Sequence, residues 1–329
     1  MTLAGAADRA GSVPAGSIEG PLGYLGEAVA AAAAVRTAGR LGVLTLLDDA
    51  PVRTGDLAAA CQLTERGARL LLAALHGLGV VEATGEDTWR AAVPDLRALT
   101  RTGDMWTHLD DAVRLGRPLV RGDTPDGAAG FYPDAVGHLG AMVTAVAERA
   151  AHLLPPAARV VDAGAGAAPW SLAVAARNPD CVITAIDLPA VLPATRHAIR
   201  RAGRERQFRF AEGDIFAVDL PVGSFDLAIA GNLCHLFDET ANRRLLGRLG
   251  DALAPGGTVA IMDVMPDGGP LPRWARLYEL GLMLRTRGGG VHPLTSYLDW
   301  LDDAGFESHE SHLLADRAQF MLLLARRRA

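Results

Sequence analysis

Short apolar runs that alternate with longer, helix-forming stretches fill the second half of the chain. The runs predict strand cores at Val160, Val182–Ile186, Phe208–Phe210, Leu227–Ala230, Val259–Met262 and Phe320–Leu324. Strands that alternate with helices predict a doubly wound, Rossmann-like α/β sheet over residues 156–329, with Pro155-Pro156 marking its start. Ligands of such sheets bind beyond the carboxyl ends of the strands.

The first hundred residues have mainly helical spacing. Apolar residues from Leu22 to Leu47 recur at helical intervals, and shorter helices are expected to begin near Thr54, a candidate N-cap, and near Thr64. Residues 80–91 predict a β-hairpin. Helix, helix and hairpin form the winged-helix pattern, which serves DNA binding or dimerisation. The second helix offers two arginines offset by a glutamate, so we favour a winged-helix dimerisation domain over residues 21–100.

Two further segments complete the predicted organisation. Residues 1–20 are rich in Gly, Ala, Ser and Pro, which predicts a disordered leader. Residues 101–155 have an irregular helical pattern with a Gly/Pro-rich break from Gly116 to Pro133. We expect this segment to be a helical connector that covers a pocket of the α/β domain.

Composition narrows the possible functions. The formal net charge of −6 argues against nucleic acid as the main partner. All basic residues other than histidine are arginine, and the absence of lysine excludes Schiff-base chemistry on a lysine. The three scattered cysteines have no disulfide or metal-ligand spacing, and the N-terminus has no signal-peptide pattern. We expect a cytoplasmic protein without a metal or a membrane partner.

The candidate chemistry is concentrated in a glycine-rich turn. A short strand ends at Asp162, after which Gly164 and Gly166 allow a ligand to approach the backbone. The next strand ends at Asp187, where the ribose hydroxyls of a nucleotide would lie. Pro169 replaces the third glycine of the dinucleotide fingerprint, and Asp162 would repel a pyrophosphate. With Asp162 before the glycine-rich turn and Asp187 at the end of the next strand, the site favours a ligand with a ribose and a positive centre, such as S-adenosylmethionine.

Five strand ends carry polar side chains that the same fold would bring to one edge of the sheet. They are Asp162, Asp187, Asp214, Asn232 and Asp263. One polar strand end carries little information, whereas five along one edge indicate a binding site.

Five short motifs, taken in order and spacing, resemble a known family. They are Val161–Gly166, Ile186–Val191, Gly213–Phe216, Asn232–Asp238 and Ala254–Gly257. Over about residues 22–328 the chain resembles class I S-adenosylmethionine-dependent O-methyltransferases, namely the plant caffeate type and the bacterial polyketide-tailoring enzymes. The resemblance implies methylation of a small aromatic or polyketide-like metabolite, and a homodimer formed through the N-terminal domain.

The resemblance also implies roles for individual residues. The cofactor would be held by Asp162, Gly164, Gly166, Asp187, Leu188, Gly213, Asp214, Ile215, Phe216 and Asn232. His235 matches the general base of the family, and Asp263 is the acid that would orient it. Met142 falls where the family has a methionine close to cofactor and substrate.

Aromatic residues are scarce, and several fall in segments expected to cover the site. We expect the acceptor substrate to contact Trp106, His108, Phe131, Tyr132, Met142, Tyr278, Met283 and His292. Ordinary packing is the alternative for this group.

Four arginines also lie along one late segment, Arg273, Arg276, Arg285 and Arg287. A solvated face is the favoured interpretation for them, and recognition of an anionic substrate is the alternative.

The chain departs from the family beside the proposed base. Where the family pairs its histidine with two glutamates, this chain has Asp263 and Val291, and Leu236 replaces an acid that often follows the histidine. Methylation of carbon or nitrogen is therefore an alternative to O-methylation. A non-methylating reaction that uses the charge of the cofactor is another. A ligand-sensing regulator with a DNA-binding winged helix is a third alternative, which the weak basicity disfavours.

Overall fold

The computed structural model describes residues 20–93, 96, 103–266, 271–315 and 319–328. The chain forms two compact units, which divide between Asp104 and Met105. The leader expected at residues 1–20 lies outside the described residues except for Gly20, which precedes the first helix.

The N-terminal unit is mainly helical. Its elements are α1 (Pro21–Arg40), α2 (Val43–Asp49), β1 (Val52–Arg53), α3 (Thr54–Ala60), α4 (Glu65–Gly77), β2 (Val81–Gly85) and β3 (Thr88–Ala91). The strands form an antiparallel sheet in the order β1-β3-β2. The two short helices and the hairpin predicted for this region are confirmed.

Side-chain hydrogen bonds explain one helix start and correct another. Thr64 caps α4, because its hydroxyl accepts a hydrogen bond from the Gly67 N–H at 3.1 Å. Thr54 does not cap α3, since its hydroxyl instead accepts a hydrogen bond from Trp89 Nε1 at 3.0 Å.

Among the described helices, none alone has the length and hydropathy needed to cross a bilayer; α1 and α2 meet that requirement only as a pair bent by 72°.

The C-terminal unit contains a seven-stranded sheet in the order β6-β5-β4-β7-β8-β10-β9. Its strands are β4 (Arg159–Ala163), β5 (Val182–Asp187), β6 (Phe208–Glu212), β7 (Phe225–Gly231), β8 (Leu253–Val264), β9 (Phe306–Ala315) and β10 (Phe320–Arg327). The neighbouring strands from β6 to β8 are parallel, whereas β10 is antiparallel to both β8 and β9. The doubly wound α/β sheet and its six predicted strand cores are confirmed.

Two helices of this unit precede β4, and the others join strands of the sheet. They are α5 (Leu109–Leu115), α6 (Pro125–Ala151), α7 (Pro169–Arg177), α8 (Leu192–Arg201), α9 (Glu239–Ala252), α10 (Arg273–Met283) and α11 (Leu294–Asp303). Short 3₁₀ turns lie at Met105–His108, Glu205–Gln207 and Cys234–Leu236. The third of these turns follows β7 and holds His235 at the carboxyl edge of the sheet.

The predicted break from Gly116 to Pro133 is wrong in its second half. Gly116 ends α5 in the left-handed region, but α6 begins at Pro125 and continues through Pro133. Proline is tolerated at the first position of a helix, and Thr124 caps this end by accepting a hydrogen bond from the Gly127 N–H at 3.4 Å. The packing of α6 against α7 and α8 outweighs the hydrogen bond lost at Pro133.

Strand β9 was not predicted because its sequence is polar. It forms the edge of the sheet, and most of its side chains are at least partly exposed, whereas the buried Phe306 and Leu314 lie near its ends. By contrast, the central strands are buried on both faces and have the continuous apolar runs that made them recognisable.

Candidate active site

A cavity of about 430 Å³ opens at the carboxyl ends of the parallel strands in the C-terminal unit. We call the cavity-lining residues at the ends of strands β4 to β7 and directly after them the strand-end wall; they are 164–167, 186–188, 213–216, 231–233 and 235–237. The cavity-lining residues of α6, α10 and the segments beside them form the helical wall; they are 122–125, 128, 132, 136, 139, 140, 142, 143, 146, 274, 278 and 285. The two walls face the same space, where a ligand of moderate size can enter.

The glycine turn after β4 requires glycine at its centre. Gly164 and Gly166 have φ angles of +65° and +55°, a region that other residues rarely adopt. A Cβ atom on Gly164 would lie 2.9 Å from the side chain of Leu233. Thr195 Oγ1 donates a hydrogen bond to the Gly166 carbonyl at 2.6 Å and holds the turn against α8.

Asp187 at the end of β5 is bonded to this turn. Its Oδ2 accepts a hydrogen bond from the Gly166 N–H at 2.7 Å, and its Oδ1 accepts one from the Leu188 N–H at 2.8 Å. Burial raises the pKa of Asp187, and the two backbone donors offset part of that increase. Each oxygen keeps a lone pair for a ligand, so the carboxylate can accept hydrogen bonds from vicinal hydroxyls.

Asp162 does not lie in the cavity wall, which corrects its predicted contact with the cofactor. Its side chain is 1% exposed, and Ser171 Oγ in α7 donates a hydrogen bond to its Oδ2 at 2.5 Å. Burial raises the pKa of Asp162 to about 7, the Ser171 hydroxyl opposes the increase, and the charge of Asp187 adds to it. Asp162 therefore joins β4 to α7 in the interior.

The other predicted cofactor residues all line the cavity: Gly164, Gly166, Asp187, Leu188, Gly213, Asp214, Ile215, Phe216 and Asn232. Asp214 accepts a hydrogen bond from the Phe216 N–H at 3.0 Å, which closes a tight turn after β6. The Phe216 ring contacts Phe237 edge to face, with 5.0 Å between ring centroids. This turn presents an apolar surface beside a carboxylate, which suits a nucleoside base.

His235 and Asp263 form a buried pair at the cavity. His235 Nδ1 lies 2.9 Å from Asp263 Oδ1, and the His235 N–H donates to Asp263 Oδ2 at 3.1 Å. Asp263 is fully buried at the end of β8, and His235 lines the cavity with 4% of its surface exposed. An ionised Asp263 keeps the proton on Nδ1, which leaves the lone pair on Nε2 for a ligand.

The backbone around His235 is held from a second direction. The Gly290 N–H donates a hydrogen bond to the His235 carbonyl at 3.0 Å. A Cβ atom on Gly289 would lie 2.4 Å from the same carbonyl oxygen, so glycine is required for this close approach. The imidazole is therefore fixed through both its ring and its main chain.

Aromatic side chains of α10 pack against the His235 ring. Tyr278 contacts it edge to face with 5.5 Å between centroids, and Trp274 stacks on Tyr278 at 4.9 Å. Burial raises the pKa of Tyr278, although the neighbouring Arg285 charge acts in the opposite direction. The phenol therefore stays protonated and can donate a hydrogen bond at neutral pH.

Three of the predicted substrate contacts line the cavity, and five do not. Tyr132, Met142 and Tyr278 belong to the helical wall. The residues that lie elsewhere are Trp106, His108, Phe131, Met283 and His292. The prediction assigned whole segments to the cavity, but only one side of each helix faces it.

The positions of four of these five residues have simple explanations. His108 and Trp106 are exposed on a 3₁₀ turn. Phe131 packs with the cluster formed by Met105, Ala112 and Leu284. Met283 lies five positions beyond Tyr278 on α10, which places it on another side of the helix.

His292 is engaged in packing outside the cavity. Its Nε2 lies 2.9 Å from the Phe237 carbonyl, and its ring contacts Trp300 with 5.0 Å between centroids. A histidine with both a backbone partner and aromatic neighbours is part of the interior, so the structure corrects its predicted role as a substrate contact.

Sequence reasoning missed Trp170 and Phe320, which line the cavity. Arg285 lines it too, although the sequence favoured a solvated face for this arginine and gave an anionic substrate only as the alternative. Trp170 stacks on Phe320 with 5.8 Å between centroids. Trp170 follows the glycine turn directly at the start of α7, and that position was the available signal. Phe320 begins a strand 150 residues later, and no local pattern connects it with the turn.

Comparison with known proteins agrees with this geometry. Residues 123–307 match the model of the O-methyltransferase domain family. The chain is 32% identical to the tetracenomycin polyketide synthesis 8-O-methyl transferase TcmO of Streptomyces glaucescens, over 83% of this chain and 87% of that protein. It is 33% identical to a 3-hydroxy-5-methyl-1-naphthoate 3-O-methyltransferase of Streptomyces sahachiroi, over 45% of this chain and 42% of that protein.

A solved structure shares the fold over nearly the whole chain. The crystal structure of human N-acetylserotonin methyltransferase in complex with S-adenosylmethionine has 25% sequence identity and a TM-score of 0.74. The match covers 94% of this chain and 97% of the human one. The similarity therefore extends through both compact units.

Proposed function

We propose that this chain, which belongs to the O-methyltransferase family, methylates a hydroxyl group of a small aromatic or polyketide-like metabolite and uses His235 as the general base. The chain is an S-adenosylmethionine-dependent methyltransferase. The observation that supports the proposal best is the His235–Asp263 pair, which lies in the same cavity as the glycine turn and Asp187.

The strand-end wall fits the cofactor. Gly164 and Gly166 leave open backbone at the turn, and Asp187 offers a fixed carboxylate for the ribose hydroxyls. Asp214 and Phe216 would hold the adenine. When bound, S-adenosylmethionine supplies an electrophilic methyl group on a positively charged sulfur. Leu188, Gly213, Ile215 and Asn232 also line the cavity and would complete the contacts.

His235 would take the proton of the acceptor hydroxyl on Nε2. A phenol has an unperturbed pKa of about 10, so at neutral pH it needs a base to become a strong nucleophile. The Asp263 carboxylate beside Nδ1 stabilises the imidazolium that results and holds the ring in one orientation. A base positioned in this way accelerates a reaction by about 10²–10⁴-fold.

The helical wall would align the acceptor and exclude water. Tyr132, Val136, Met142 and Tyr278 present mainly apolar surface to the cavity. Alignment of two reactants in one site is worth roughly 7–11 kcal/mol as effective molarity. We therefore assign most of the rate enhancement to positioning, and a smaller share to proton transfer by His235.

The experiment that tests the function is a product assay. The purified chain is incubated with S-adenosylmethionine and a panel of hydroxylated aromatic and polyketide-like compounds. The expected result is S-adenosylhomocysteine together with an equal amount of product one methyl group heavier, with the new methyl on oxygen by NMR. A methyl on carbon or nitrogen would contradict the O-methylation proposal, and a consumed acceptor without added methyl would indicate a non-methylating reaction.

The N-terminal unit offers a surface for a second copy of the chain. On α1, Leu22, Leu25 and Val29 are 65%, 54% and 70% exposed. A row of exposed apolar residues on one helix is typical of an interaction surface. We propose that this face forms the interface of a homodimer. Light scattering should give twice the mass of the chain, and Val29→Arg should give the mass of one; a wild-type monomer would contradict the proposal.

The remaining expectations concern partners and location. The three cysteines are free thiols, which suits a reducing cytoplasm. With a formal charge of −6, the chain should show no shift of duplex DNA at moderate salt. A shift that weakens steeply with added salt would instead support a DNA-binding role for the N-terminal unit.

A further inference from the structure

The helical wall contains one cation, Arg285. Of the four arginines between residues 273 and 287, three have exposed side chains, whereas Arg285 is half-buried and lines the cavity. Its Cζ lies 5.7 Å from the centre of the Tyr278 ring. The same ring contacts His235 edge to face at 5.5 Å. Arg285 therefore lies on the acceptor side of the site, close to the proposed base.

The backbone holds Arg285 in this position. Its carbonyl accepts a hydrogen bond from the Gly122 N–H at 2.7 Å, and the Leu284 carbonyl accepts one from the Leu119 N–H at 2.9 Å. A Cβ atom on Gly122 would lie 2.9 Å from the Arg285 carbonyl, so the two segments approach as closely as glycine allows. The arginine thus projects from a fixed main chain.

The neighbouring acid does not neutralise this charge. Asp123 accepts hydrogen bonds from Arg121 Nε at 2.8 Å and from the Arg287 N–H at 3.2 Å. Within the described ranges, Arg285 forms no ion pair. A cation in a mainly apolar cavity is costly unless it is paired, so an anionic group of a ligand would fit beside it.

Two phenols complete a group of donors around this position. Within the part of the chain that the structure describes, the Tyr132 hydroxyl oxygen is shielded from solvent and has no hydrogen-bond partner. The charge of Arg285 acts on both Tyr132 and Tyr278, and it partly offsets the burial that raises the pKa of each. Both phenols therefore remain protonated and can donate to an anion.

We propose that Arg285, Tyr132 and Tyr278 form a subsite for a carboxylate of the acceptor, so that the substrates are hydroxyaromatic acids. The proposal rests on the proposed function, because it places the acceptor in the same cavity with its hydroxyl at His235. Guanidinium groups bind carboxylates through two parallel hydrogen bonds, and the phenols supply further donors. The subsite would fix which hydroxyl of a polyhydroxylated molecule reaches the base.

Binding to the protein loaded with S-adenosylhomocysteine tests this subsite without any turnover. The probes are 3-hydroxy-1-naphthoate and 6-hydroxy-2-naphthoate, which differ in the spacing of acid and hydroxyl, and the corresponding carboxamides. Calorimetry of the wild type should show at least one acid binding about 10- to 100-fold more tightly than its amide, the range expected of charge-assisted hydrogen bonds. Arg285→Gln should remove this preference.

Arg276→Gln is the matched control, because it removes the same charge from an exposed position on α10. It should keep the preference for the acid. Equal binding of acids and amides by the wild type, a preference that persists in Arg285→Gln, or no binding of any probe would each overturn the subsite. Loss of S-adenosylhomocysteine binding in Arg285→Gln would overturn it too, since the arginine would then serve the cofactor.

The subsite and the proposed function can fail separately. If an acid binds with the expected dependence on Arg285 but no acceptor gains a methyl group, the subsite stands and the function fails. If an uncharged acceptor is methylated while the acids bind no better than the amides, the function stands and the subsite fails.

Discussion

The two walls of the cavity are built in different ways. The strand-end wall consists of turns that follow consecutive strands, and its key contacts involve main-chain atoms, such as the Gly166 N–H bonded to Asp187. The helical wall consists of side chains from α6 and α10, which are separated by more than a hundred residues of sequence. The first wall depends on backbone geometry, and the second depends on how two distant helices pack.

Under the proposed function, the strand-end wall holds the cofactor and the helical wall holds the acceptor. Backbone turns are rigid and tolerate few substitutions, which suits a cofactor that never changes. Side chains on helices can be exchanged without disturbing the sheet, which suits an acceptor that differs between enzymes. Variants in the strand-end wall should therefore alter cofactor binding or the chemical step, and variants in the helical wall should alter acceptor binding.

The largest effect should come from His235→Ala in the strand-end wall. Removal of the base should lower kcat by about 10²–10⁴-fold, while S-adenosylhomocysteine binds as in the wild type. The control is His292→Ala, which removes a histidine that lies outside the cavity and should leave kcat within a few fold. Turnover of His235→Ala close to that of the wild type would eliminate the base role.

Asp162, which belongs to neither wall, should affect stability rather than binding. The pKa of Asp162 is about 7 in the folded chain and 3.8 in the unfolded one. Between pH 3.8 and pH 7 its side chain is therefore protonated in the folded state and ionised in the unfolded state. The free energy of unfolding should therefore fall by about 2–3 kcal/mol as the pH rises from 5 to 7.

Asp162→Asn should lack this dependence, because an amide does not titrate in this range. Unfolding by urea at several pH values gives the comparison, and only the difference between the two proteins is used, since Asp187 and the other acids titrate in both. Parallel stability curves for the wild type and the variant would show that Asp162 is ionised in the folded state.

Asp187→Ala should weaken S-adenosylhomocysteine binding by about 10- to 100-fold, because charged hydrogen bonds to the ribose are lost. The substitution also frees the Gly166 N–H, so the turn loses one of its anchors. Calorimetry measures the change. Asp180→Ala, which removes an exposed acid just before β5, should bind the nucleoside as the wild type does. Unchanged nucleoside binding by Asp187→Ala would show that the ribose does not bind at the end of β5.

The smallest effect should come from the helical wall. Tyr132→Phe removes one neutral donor, so the KM for the acceptor should rise by about 2- to 10-fold while kcat and nucleoside binding stay the same. Phe131→Leu, next to it on α6 but outside the cavity, is the control. A change in nucleoside affinity in Tyr132→Phe would show that the helical wall also contributes to cofactor binding, which contradicts the proposed separation of the two walls.

The same difference explains how much could be predicted from sequence. Gly164, Gly166 and Asp187 were recognisable because each lies at a fixed offset from a buried apolar strand. The pairing of His235 with Asp263 was also accessible, since His235 follows β7, Asp263 lies at the end of β8, and both strands end at one edge. Asp162 shows the limit of this reasoning, because a strand-end acid can turn inward when α7 supplies a donor.

The helical wall had no such local signal. Tyr278 and Met283 lie on one helix, and only the orientation of α10 decides that the first faces the cavity. The same holds for Arg285, whose importance comes from its distance to Tyr278 and from the neighbouring pair Asp123–Arg121. Contacts of this kind depend on the packing of elements that are far apart in the chain.

The bonds that fix Asp187 have a consequence for regulation in the cell. Both oxygens accept hydrogen bonds from backbone N–H groups of the chain itself, so the proposed sugar pocket is built on fixed main chain. That pocket would contact parts of the nucleoside that methyl donation leaves unchanged, and the spent nucleoside would therefore occupy it as readily as the fresh one. Turnover would then follow the intracellular ratio of the two nucleosides, and steady product formation would require a hydrolase that removes the spent form.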